Sequence, residues 1–138
     1  MPQRDIKSSL NAYFLMNEAI TTDTNTDSAE LDMANYDSGV KINAFASAYS
    51  AGTYTVQLHA SDTTGFTPSA STLLATDEII PSSGTIAITA VSTVGDAINS
   101  LGVCTAKRYL AVRIVSTSTG TATIVVTAEA KPELRQEV

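Results

Sequence analysis

The sequence predicts an all-β protein: an antiparallel β-sandwich, jelly-roll-like, in a single domain with an extended N-terminal arm. Two observations predict it. Apolar residues alternate with polar ones in short runs, and the runs are separated by Gly, Pro, Asn, Asp and Ser. Charged residues are only 16% of the chain, so Ser and Thr carry the polar surface, and Thr packs well on a pleated sheet. The 138 residues suit one domain with one core, and with no Trp that core is expected to be Val, Ile, Leu and Ala.

The elements follow in order. Residues 1–12 are polar and of mixed charge, and read as the arm. Residues 13–131 form the sandwich and 132–138 a charged tail begun by Pro132. "AYFLMNEAI" places Phe14, Met16 and Ile20 on one parity and reads as a strand. Thr21 to Asp27 reads as a loop. "SAELDM" sets Ala29, Leu31 and Met33 against Glu30 and Asp32, a strand. "NYDSG" turns the chain into "VKINAFASAY", whose inner face is expected to be Val40, Ile42, Ala44, Ala46 and Ala48. After a turn at Ser50–Gly52, "TYTVQLHAS" points Tyr54, Val56, Leu58 and Ala60 inward and Thr55, Gln57, His59 and Ser61 outward.

Asp62 to Gly84 is irregular, and "SASTLLATDEII" within it fits one helical turn or a short edge strand. "TIAITAVS" alternates through Ile86, Ile88 and Ala90, while "TVGDAINSLGV" shows no clear period. The most regular stretch is "KRYLAVRIVSTSTGTATIVVTAEA". Leu110, Val112 and Ile114 share one face; after Gly120, Ala122, Ile124, Val126 and Ala128 share another. A β-hairpin turning at Gly120 is expected, since β-branched residues crowd a helical turn.

Several function classes are disfavoured. The net charge is −6 and the eight basic residues are scattered, which argues against nucleic acid as a partner. No run approaches the roughly 20 apolar residues of a membrane span, and the early apolar run, broken by Asn17 and Glu18, does not read as a secretory leader. With one cysteine, Cys104, no intrachain disulfide forms. Asp23, Asn25 and Asp27 stand like the first ligands of a calcium loop, but Ser28 replaces its glycine and Ala34 its bidentate glutamate. His59 is the only histidine and cannot build a zinc site alone; on the outward parity it reads as a surface side chain. Asp77 and Glu78 are adjacent, so a strand would point them apart. Phe45, Tyr49, Phe66 and Tyr109 remain for sugar stacking, without Trp. The expectation is a protein with no catalytic residues, no metal and no cofactor, built for contact.

"AKRYLAVRIVSTSTG...TIVVTAEAKPE" resembles the C-terminal hairpin of small virion proteins encoded near the major capsid gene of tailed phages. "RDIKSSL", "AELDMANYDSGVKI" and "YTVQLHASDTTGFTPSAS" are similar in style to the rest of that family. The resemblance implies a head decoration, or cement, protein, made in the host cytoplasm and carried on the capsid exterior. It implies the major capsid protein as partner and self-association, with a trimer favoured. In that setting the arm, with Arg4, Asp5, Ile6 and Lys7, is expected to reach a capsid subunit or a sister protomer. Lys107, Arg108 and Arg113 are expected to meet acidic partner groups, or else to be strand-edge charges that prevent aggregation. Where the family strand carries arginine sooner after tyrosine, this chain has Ala111. The alternatives are a phage tail or receptor-binding component and a carbohydrate-binding β-sandwich.

Overall fold

Two sheets face each other across an apolar interior in this computed structural model, which describes residues 11–21, 23–34, 36–80, 86–91, 100–117 and 120–132. The strands are β1 (Asn11–Ile20), β2 (Asn25–Asp27), β3 (Leu31–Asp32), β4 (Tyr36–Tyr49), β5 (Tyr54–Ser61), β6 (Ile79–Ile80), β7 (Ile86–Ile88), β8 (Ser100–Val103), β9 (Tyr109–Ser116) and β10 (Ala122–Pro132). The first sheet runs β1-β10-β4-β8-β6. The second runs β2-β9-β5-β7, with β3 also on β9. All pairs are antiparallel.

Taking β2 and β3 as one interrupted strand and setting β6 aside leaves eight strands. The first then pairs with the eighth, the second with the seventh, the third with the sixth and the fourth with the fifth. That is one long antiparallel ribbon rolled over itself, the jelly roll. The expected all-β sandwich is therefore the fold.

The interior is filled as the alternation requires. Tyr54, Val56, Leu58 and Ala60 of β5 and Leu110, Val112 and Ile114 of β9 face Val40, Ile42, Ala44 and Ala46 of β4 and Ile124, Val126 and Ala128 of β10. Each large side chain so buried contributes about 1.5–3 kcal/mol. Tyr54 joins the aliphatic core because its hydroxyl donates to the Ala51 carbonyl at 3.0 Å, and its ring meets Tyr49 edge-on at 6.3 Å.

The hairpin expected at Gly120 does not form. β9 and β10 are both strands, but they lie in different sheets, with five residues of sequence between them. Sheets pack about 10 Å apart, and five residues can span that gap. The β4–β5 connection crosses beside it: Ser50 N donates to Thr121 O and Thr117 N to Thr53 O. Gly120 is needed for this close approach, since a Cβ there would strike the Ala51 carbonyl oxygen.

Other expectations also yield to local structure. The pairing of β1 with β10 slips between Phe14 and Met16, so Leu15 is an extra residue. The bulge buries both Leu15 and Met16 and leaves Phe14, expected on one parity with Met16, 63% exposed. A similar slip against β10 at Ser47 turns Ala48 outward and sets Tyr49 against the core. The loop expected at 21–27 contains β2, whose ladder with β9 is a pattern three residues cannot announce. Ala29 and Ala90 are exposed, beyond the ends of their strands. "SASTLLATDEII" holds both options, a 3-10 turn at Thr76–Glu78 and then β6. β1 begins at Asn11, inside the range read as arm; residues 1–10, with Arg4, Asp5, Ile6 and Lys7, lie outside the described residues, as do tail residues 133–138.

Candidate functional site

The residues singled out for contact on β9 fall into two places. Lys107 and Arg108 come just before the strand and line a cleft at one end of the sandwich. Arg113 lies five residues on, on the outward face of the second sheet.

The cleft, of about 290 Å³, lies between the β3–β4 connection and the β8–β9 connection. Met33, Val40, Val103 and Ala106 supply its apolar lining, and Lys107 and Arg108 stand at it. Gly39 sits on its wall with φ +101°, and a Cβ there would collide with the Val103 carbonyl oxygen. Strands β4 and β8 can therefore approach this closely only with glycine at that position.

Both cations are engaged within the chain. Arg108 donates to both carboxylate oxygens of Asp32, from Nε at 3.1 Å and a terminal nitrogen at 3.0 Å. Its guanidinium lies 5.1 Å from the centre of the Tyr109 ring. Lys107 Nζ donates to Asp62 at 2.9 Å, and the Arg108 backbone N–H donates to the other oxygen of that carboxylate at 3.3 Å. These hydrogen bonds hold the Asp32 and Asp62 carboxyls below the usual aspartate value and raise Lys107 and Arg108. All four side chains stay about half exposed, so water still reaches each pair.

Arg113 is different. It lies directly opposite Asp27 in the β2–β9 ladder and grips that carboxylate with two hydrogen bonds, 2.6 and 2.9 Å. The pair is less exposed than the other two, with side-chain exposures of 18% and 32%. Ser28 beside it acts as a piece of backbone: its N–H donates to Val112 O, and its Oγ accepts from Val112 N. Glu30 then takes the Thr64 hydroxyl and the Gly65 N–H, both at 2.8 Å. Residues 25–32 are thus a polar strap fastened along β9.

His59 was expected at the surface and is instead 2% exposed. Its parity is outward as expected, but the chain returns over it. Leu73 bridges to His59 beside β5, Ala60 N donates to Thr72 O at 2.9 Å, and Leu74 N donates to Leu58 O at 3.0 Å. The ring lies 3.0 Å from Thr72 Oγ1 through Nδ1 and 3.4 Å from Gln57 Oε1 through Nε2. Burial first, and the Arg113 charge second, push the imidazole below its usual value of 6.5. The adjacent leucines Leu73 and Leu74 were the one signal for this cover.

Among the described residues no group of three or more His, Cys, Asp or Glu side chains could hold a metal ion. The Asp27 carboxylate of the calcium-like stretch serves Arg113 instead. Cys104 is a free, exposed thiol. No helix among the described residues is long and apolar enough to cross a membrane.

No family model and no curated protein matches the chain. Among solved structures, the chain is similar to the crystal structure of PBSX exported protein XepA, at 19% identity and a TM-score of 0.57. The likeness covers 93% of this chain and 39% of XepA, so this sandwich corresponds to well under half of the longer protein. At that identity it establishes the fold.

Proposed function

We propose that this chain is a structural virion protein that binds the outer surface of a phage capsid and stabilises it, without catalysis. The observation that carries the proposal is the jelly roll shared with the PBSX exported protein XepA. The resemblance of Ala106–Glu133 to decoration proteins favours the head. The side-chain chemistry supports the same reading. Lys107, Arg108, Arg113 and His59 are engaged in fastening segments of the chain to one another.

Contact is proposed at the cleft, where Lys107 and Arg108 can exchange their exposed aspartate partners for acidic groups of the major capsid protein. The exchange is cheap because exposed pairs contribute little to stability. The arm, with Arg4 to Lys7, adds a second contact, and a trimer gripping a repeated lattice gains avidity without stronger individual contacts.

Quantitative mass spectrometry of purified virions tests the proposal. Copies in the hundreds, at a simple ratio to the major capsid protein, are expected. Copies in the low tens or fewer would transfer the protein to the tail or a vertex. Absence from the particle would overturn the virion role.

A further inference from the structure

The chain holds a single histidine, and it is buried on the outward face beneath a segment that reaches the hydrophobic core only through Leu74 at its end. Residues 66–74 lie against β5 through two backbone hydrogen bonds, Ala60 N to Thr72 O and Leu74 N to Leu58 O, and through the His59–Thr72 contact. They continue the edge that β7 covers only along Tyr54–Val56. At its base this flap is tethered separately, where Glu30 holds Thr64 and Gly65. It therefore has a fixed hinge and a latch at His59.

We infer that His59 is an acid-operated latch: when the imidazole takes a second proton, residues 66–74 leave β5 and bare the Leu58–Ala60 edge. Hydrogen bonding does not oppose the proton. Thr72 Oγ1 accepts the Ser69 N–H at 2.8 Å and donates to Ser69 O at 3.0 Å, which leaves a lone pair for Nδ1–H. Charge opposes it. From β9, Arg113 lies opposite Gln57 on the same face. From β2, the Asp27 carboxylate favours the proton, but Arg113 already holds both of its oxygens. The flap brings Ser69 and Thr72, and nothing titratable lies between Thr63 and Leu74. Asp62, ahead of the flap, is turned to Lys107. A buried imidazolium would thus sit beside a guanidinium with no free counter-charge. Lifting the flap admits water and removes that penalty. The uncovered stretch of β5 presents free backbone N–H and C=O groups, an edge that can accept a strand.

Residue-resolved amide exchange tests the latch. After correction for intrinsic rates, protection at Ala60 and Leu74 should fall by about tenfold or more between about pH 7.5 and about pH 5, while the amides of β10 hold. In His59→Gln, which keeps an uncharged polar side chain, both amides should stay protected at both values. Equal protection of the wild type at both pH values would overturn the inference, as would the same loss in the variant. Should the variant fail to fold, NMR titration of the wild-type ring decides. A ring midpoint that coincides with the loss of protection supports the latch, and midpoints about a unit or more apart overturn it.

Discussion

The outward faces of the two sheets are built from the same kind of alternating strand, yet different things lie on them. On the first sheet, Phe14 stands 63% exposed beside half-buried Thr127, and Lys41 lies opposite Glu129 across the ladder. Asn43, on the same face, is buried, with its Oδ1 taking the Ser100 hydroxyl. On the second sheet, part of the outward face is covered by the chain itself. Residues 66–74 close over His59, while β2 and β3 extend the sheet beside β9 as its ladder partners. Alternation therefore settles which side of a sheet a residue is on. Whether that side meets water is settled by segments that have no alternation of their own.

The largest expected effects are on the inner faces, where the sheets should behave alike. Ile114→Ala in the second sheet and Ile124→Ala in the first each remove a fully buried side chain. Each should cost about 3 kcal/mol, read as a lower urea midpoint at unchanged slope. Costs differing by more than about twofold would mean that one inner face collapses around the cavity and the other does not.

A smaller effect should separate the ion pairs of the second sheet. Arg113→Leu breaks the less exposed grip on Asp27 and should cost about 1 kcal/mol. Lys107→Leu, at the water-exposed pair with Asp62, should leave the urea midpoint where it was. A loss at Lys107 equal to that at Arg113 would remove the distinction between a strap fastening and a replaceable surface pair.

The smallest effect should be the dependence on pH, in two separate windows. His59 titrates lower in the folded chain than in the unfolded one, so the unfolded chain binds the proton first. Stability should therefore fall as pH drops from about 6.5 through the folded value, and His59→Gln should flatten that slope. Asp32 and Asp62 are held below 3.8, so their contribution is complete above that value and is lost only as pH falls through their lower folded values. Denaturation midpoints followed against pH for both proteins check this. A slope unchanged in His59→Gln would place the upper window elsewhere.

Much of the fold could be read from the residues. The strands carrying Leu110, Val112 and Ile114, or Ile124, Val126 and Ala128, declare themselves because period two is a property of one strand. Their partners do not, because pairing depends on where the chain is led. Gly120 and the short connection after Ser116 look the same for a hairpin and for a crossing between sheets. Bulges at Leu15 and Ser47 are likewise set by the partner ladder, so Phe14 does not share a face with Met16 and Ala48 leaves the inner face expected of it. At the candidate site, the cations Lys107, Arg108 and Arg113 were legible. Their carboxylates were not, since Asp62, Asp32 and Asp27 are between 45 and 86 residues away in sequence.

The rolled ribbon also orders the making of the protein. β5 and β7, its innermost pair, close the shortest loop, while β1 and β10, its outermost pair, close the longest. During synthesis β1 emerges first among these strands, and its ladder partner is the last to be made. Leu15, Met16 and Ile20 must wait in water, or in the grip of a chaperone, until translation has passed Ala130.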